Sequence, residues 1–160
     1  MPEIPAVLER YRRGPELLAV VLTGVFGDEE DFGLPGKWTI RQIVAHLADA
    51  ELVGAHRFRQ VIAEDNPTLI AFDQDAWVRN LDYAHRKPKQ SLETFRRIRA
   101  ENHELLKSLP PAAFDRAGNH SQNGRMTLAQ LLEGYAQHAE SHARQLQETR
   151  DEYKRAKGRK

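Results

Sequence analysis

The sequence predicts an all-α protein: a four-helix bundle with a short extra helix, forming one domain across residues 1–160. Three observations carry this. Apolar residues recur at three- and four-residue spacing through four long segments, no run alternates with period two for long, and loops containing Pro and Gly separate the segments. At 160 residues the chain has an ordinary single-domain size, enough to bury a core without disulfide or metal staples.

The first segment places Ile4, Val7, Leu8 and Tyr11 on one stripe and continues it with Leu18, Val21, Leu22 and Val25, with Gly14-Pro15 between them. Proline in a helix interior removes a donor and crowds the preceding turn, so a kink or restart is expected there. The loop GDEEDFGLPGK follows. The next helix is predicted over 40–63, because Thr39 and Gln42 have the spacing of a capping box and Trp38 can staple onto Ile43. The segment 73–80 reads as the short extra helix, with Asp73 as its cap. Ser91 is expected to open a helix whose stripe is Leu92, Phe95, Ile98, Leu105 and Leu109, stopped by Pro110-Pro111. The last helix repeats the start device, with Thr127 as cap, Gln130 at the third position and Met126 opposite Leu131, and should run from Leu128 to near Tyr153. Residues 154–160, KRAKGRK, read as a disordered basic tail.

Composition excludes several function classes. Lys+Arg 24 against Asp+Glu 23 leaves no basic field for a polyanion, so nucleic acid is not expected as a partner. There is no cysteine, hence no disulfide, thiolate metal site or cysteine nucleophile. The opening stretch MPEIPAVLERYRRGPELL is broken by Glu9, Arg10, Arg12 and Arg13 and reads as neither a signal-peptide core nor a spanning helix, so a cytoplasmic protein without a membrane partner is expected. Glycine-rich phosphate loops, a GxGxxG turn and a GxSxG elbow are all lacking.

The chemistry concentrates on histidine. Steps of three and four along the last helix give Leu128, Leu131, Leu132, Tyr135, His138, Ala139, His142 and Leu146, so two imidazoles share the core stripe. Residues four apart are neighbours on a helix and can converge on one ion. In the second helix the stripe Ile43, His46, Leu47, Ala50, Gly54 and Phe58 offers a third imidazole, with Asp49 three residues beyond it. Two readings stand open on the residues alone: one ion shared by His46, His138 and His142, or core histidines satisfied separately by hydrogen bonds. His56, His85, His103 and His120 read as structural or exposed, the second and the last in loops, although His120 could complete a coordination shell. Asp73, Trp77 and Tyr135 are candidate pocket residues, with helix capping for Asp73 and core packing for Trp77 as the competing roles.

The stretches GKWTIRQIVAHLADAE, EDNPTLIAFDQDAW and MTLAQLLEGYAQHAESH resemble the DinB/YfiT-like superfamily, whose members are small helical bundles with a metal held by three histidines. The resemblance covers roughly 34–146, and its first two stretches point to the YfiT-like group. Carried over by motif, the ligands are His46, His138 and His142, and the ion a divalent transition metal, zinc or nickel. Relatives include transferases that use low-molecular-weight thiols such as bacillithiol or mycothiol and thiol-dependent isomerases; many others are described as metal-dependent hydrolases. The resemblance therefore implies a metal-dependent thiol S-transferase or related hydrolase, with Asp49 orienting a ligand or handling a proton and a thiol and an electrophile as small-molecule partners. A non-catalytic metal- or ligand-binding module of a stress response is the alternative. Relatives that pair imply a homodimer.

Overall fold

In the computed structural model, residues 3–158 are described, and they form five α-helices and one small sheet. The helices are α1 (Ile4–Val21), α2 (Ile40–Ala63), α3 (Gln74–Asn80), α4 (Pro88–Lys107) and α5 (Leu128–Gly158). Four of them make the bundle: α1 packs on α4 and α5, and α2 packs on the same two, so α1 faces α2 and α4 faces α5 across the bundle axis. Among the described residues no helix is long and apolar enough to cross a membrane.

Both capping boxes form. Thr39 accepts from the Gln42 amide while Gln42 Oε1 accepts from the Thr39 amide at 2.9 Å, and Thr127 and Gln130 exchange the same two bonds at the start of α5. Asp73 accepts the Ala76 amide at 3.0 Å and starts α3. The helix α4 begins at Pro88 rather than Ser91, because proline suits the first helical position, where its missing N–H is unbonded anyway. Ser91 is buried one turn further in. The helix α5 also runs beyond the expected end, so 154–158 is helix rather than a disordered tail, while residues 159 and 160 lie outside the described residues.

Gly14-Pro15 neither ends nor restarts α1, which is one helix from Ile4 to Val21. The reason lies on α4. Proline at 15 deprives the Tyr11 carbonyl of its usual helical donor, and the Arg99 guanidinium supplies another, Nη1 donating to Tyr11 O at 3.0 Å. A Cβ on Gly14 would lie 2.2 Å from that same nitrogen, so glycine is what lets the arginine in. Arg99 is 1% exposed and also bonds both Glu51 oxygens and the Tyr135 carbonyl. Tyr11 donates its hydroxyl proton to Glu51 and accepts from Asn102. The network thus lies on the bundle axis and joins both pairs of helices that face each other across it. It also turns α4 relative to the expected stripe: the buried positions are Ser91, Phe95, Arg99, Asn102 and Leu106.

The sheet, absent from the sequence prediction, has strands β1 (Thr68–Leu69), β2 (Ala117–His120) and β3 (Gly124–Thr127) in the order β1-β2-β3, with β1 parallel and β3 antiparallel to β2. Strands of two and four residues are too short for alternation to register in sequence. Their effect is local but consequential: β2 ends on His120, which is 8% exposed and not a free loop residue.

Candidate metal centre

The cap at Thr39 sets the phase of α2, and seven residues later that phase turns His46 inward, where it is 1% exposed. On α5 the same logic brings in His138 and, one turn on, His142. The three Nε2 atoms meet. His138 Nε2 lies 3.0 Å from that of His46 and 3.1 Å from that of His142, and a ligand atom from each of the three lies within 4.8 Å of the others. Trp38 covers His46 with ring centroids 4.9 Å apart.

These contacts fit a metal better than mutual hydrogen bonding. A single N···N contact holds one proton, and His138 Nε2 faces two partners at once. Imidazoles bound to one ion at about 2.0–2.1 Å leave their nitrogens roughly 3 Å apart. His142 Nδ1 is 2.7 Å from Gln145 Oε1, an acceptor, which fixes the proton on Nδ1 and leaves the Nε2 lone pair toward the cluster. His138 Nδ1 is buried without a partner. The rings are also in the ligand form: burial, then the neighbouring His142, lowers His46 to about 4, and burial, then His142 and His46, lowers His138 to about 2. Burial lowers His142 too, partly offset by Gln145.

A pH effect follows. Below about 6.5 the unfolded chain protonates His46 and His138 while the native metal-free protein does not, so its stability falls as pH drops from 6.5 toward 4, by up to about 1.4 kcal/mol per pH unit for each of these two rings. Above 6.5 the rings contribute no slope. Urea unfolding of chelator-treated protein between pH 5 and 7.5 measures this, and a flat profile down to pH 5 contradicts it.

Asp49 does not join the cluster. Its Oδ2 accepts from the Tyr83 hydroxyl at 2.7 Å and its Oδ1 from Arg86 at 3.1 Å, which fixes the carboxylate one turn beyond His46. His120 is also outside it: its Nδ1 accepts the amides of Gln122 and Asn123, both at 3.2 Å. A cavity of about 180 Å³ opens beside His138, lined by Tyr135, His120 and Arg57 with apolar walls from Phe72, Met126 and Leu131. Tyr135 is thus a cavity residue, whereas Asp73 serves as the α3 cap and Trp77 stacks on Phe72 with centroids 4.5 Å apart, neither lining the cavity. Arg57 and Trp38 escaped sequence reasoning as site residues. Arg57 is eleven residues, about three turns, beyond His46, and that spacing was the available signal. Tyr135 itself rests against Gly54, where a Cβ would come within 2.7 Å of the ring. Gly54→Ala is expected to cost about 1–3 kcal/mol in thermal or urea unfolding and to displace Tyr135; an unchanged midpoint contradicts this.

A family model described as the DinB superfamily matches residues 9–146. The chain belongs to the DinB superfamily. Within it, the chain is 31% identical over 108 residues to "Putative metal-dependent hydrolase YfiT" of Bacillus subtilis, covering 67% of this chain and 61% of that protein. Several curated relatives of this kind are spanned to 61–66% of their length. The solved structure of Bacillus subtilis YfiT, described as having an unusual four-helix bundle topology, superposes with a TM-score of 0.88 at 23% identity, covering 96% of this chain and 93% of that one. The crystal structure of a mycothiol-dependent maleylpyruvate isomerase superposes with a TM-score of 0.73 at 15% identity, covering 91% and 61%. The fold of this DinB-superfamily chain is therefore the YfiT-type four-helix bundle, with its small sheet a minor addition.

Proposed function

We propose that this protein is a divalent-metal-dependent enzyme that joins a low-molecular-weight thiol to a small electrophile. The observation that carries the reading is the convergence of three neutral imidazole nitrogens beside a cavity. Three protein ligands leave positions open for a reactant, as catalytic sites do and closed structural sites do not. When bound there, zinc or nickel supplies a positive charge that holds a thiol sulfur as thiolate at neutral pH. His46, His138 and His142 fix that point in space. Gln145 holds the His142 ring in the ligating tautomer. Trp38 shields His46 from water, and Asp49, held by Tyr83 and Arg86, stands ready to orient a polar group of a reactant. With no cysteine in the chain, the sulfur nucleophile comes from a cosubstrate. The mycothiol dependence named for the isomerase of similar fold supports a thiol, and the name metal-dependent hydrolase given to relatives supports water as the alternative nucleophile.

The test is thiol consumption by zinc- or nickel-loaded protein with a panel of thiols and electrophiles. Metal-dependent loss of thiol, absent after chelation, is expected. Ester or amide cleavage without thiol loss would transfer the assignment to hydrolysis, and tight metal binding with neither activity would favour a non-catalytic binding module.

A further inference from the structure

The cavity beside His138 has a charge pattern that the metal chemistry does not use. Arg57 lines it and makes no ion pair with a carboxylate among the described residues. Of its five N–H donors, Nη1 uses one on the Tyr135 hydroxyl at 3.2 Å and Nη2 one on the Ile70 carbonyl at 2.7 Å, while its buried Nε has no partner. The Tyr135 hydroxyl, accepting from Arg57, keeps its own proton to give. His120 is fixed as a donor as well, because two backbone amides occupy its Nδ1 and the ring proton must sit on Nε2. Burial, and the Arg57 charge beside it, keep that ring neutral. No aspartate or glutamate lines the cavity.

A cation without a counter-charge, flanked by two neutral donors and backed by apolar walls, is a receptor for an anion. We propose that this cavity binds the carboxylate of a small-molecule reactant, with Arg57, Tyr135 and His120 as its donors and Phe72, Met126 and Leu131 against its apolar part. One guanidinium charge matches a monoanion; a phosphate dianion would leave negative charge uncompensated. His138 lines the same cavity, so a reactant held there lies beside the three-histidine cluster. The inference rests on the small-molecule reading above, which it deepens by naming the substrate class: a carboxylic acid, carried by either the electrophile or the thiol.

Benzoate, its neutral analogue benzamide and inorganic phosphate are the probes, titrated by calorimetry into the full-length protein, zinc-loaded and after chelation. The Arg57 Nε–H resonance, observed by NMR, reports contact directly and needs no variant. Benzoate should bind at least about tenfold more tightly than benzamide or phosphate in both forms and shift that resonance, and Arg57→Gln should abolish the preference while retaining zinc stoichiometry. Arg57→Lys, which keeps the charge, should retain part of it. Equal binding of benzoate and benzamide, tighter binding of phosphate, an unmoved Nε–H resonance, or a preference surviving in Arg57→Gln would each overturn the proposal. Turnover by the zinc-loaded protein separates the two sources: if the carboxylate belongs to the thiol, 3-mercaptopropionate is consumed faster than 2-mercaptoethanol with iodoacetamide; if to the electrophile, 2-mercaptoethanol is consumed faster with iodoacetate than with iodoacetamide, each rate taken relative to the uncatalysed reaction. The two readings separate cleanly: benzoate selectivity in a protein that takes up no metal leaves the anion site standing without the enzyme, and metal-dependent thiol consumption without benzoate selectivity does the reverse.

Discussion

His138→Ala abolishes metal retention. Wild-type protein incubated with zinc or nickel and then dialysed should hold about one ion per chain, and the variant essentially none. The position is chosen by geometry: its Nε2 is the one within 3.0 and 3.1 Å of both other ligands. Structural zinc sites with four ligands are worth roughly 10–16 kcal/mol, so one ligand is worth roughly 2.5–4 kcal/mol, or about 10²–10³ in affinity. The wild type should also gain about 4 kcal/mol of stability at a free ion concentration a thousand times its Kd, and the variant should not. Elemental analysis and metal-dependent melting read both effects. His120→Ala should keep the metal, since its ring lies outside the cluster. Equal metal content in wild type and His138→Ala would return the three rings to the role of ordinary core histidines.

Arg99→Met should be the most destabilising single change in the bundle. It leaves the Glu51 carboxylate, which is 0% exposed, with only the Tyr11 hydroxyl as partner, and strips the Tyr11 carbonyl of the donor that Pro15 cannot provide. Breaking a buried ion pair from one side costs about 3–5 kcal/mol, which for a chain of this size lowers Tm by roughly 6–20 °C. Urea and thermal unfolding check it, and a loss below about 1 kcal/mol would show that the network is dispensable. Adding Glu51→Leu removes the stranded charge and should recover part of the loss, making the double variant more stable than Arg99→Met alone. Recovery stays incomplete, because the Tyr11 carbonyl remains without a donor.

These two cases also mark where sequence reasoning succeeds and where it stops. The helix starts at Thr39 and Thr127 were legible because a capping box is local: all its bonds lie within four residues. Those caps fix the helical phase, and phase is what turns His46, His138 and His142 to the interior, so the candidate ligands were legible too. What was not legible depends on partners distant in the chain. Gly14-Pro15 reads as a break until Arg99, on another helix, is seen to fill the missing bond. Arg99 and Asn102 look like surface residues by type, and their burial moved the expected stripe of α4 by a fraction of a turn. His120 reads as a loop residue because the pairing of β2 with β1 and β3 joins short segments, one of them some fifty residues away.

The Arg99 cluster also constrains how relatives can diverge. Tyr11, Gly14, Pro15, Glu51, Arg99 and Asn102 are distributed over three helices, yet they are linked by a chain of requirements: the proline needs the arginine, the arginine needs the glycine gap and the glutamate, and the glutamate needs its two donors. Stepwise replacement passes through intermediates with a stranded charge or a steric clash. Across the superfamily these six positions should therefore change as a block, and a lineage with an apolar residue in place of Arg99 should have lost Glu51 and regained a donor at position 15.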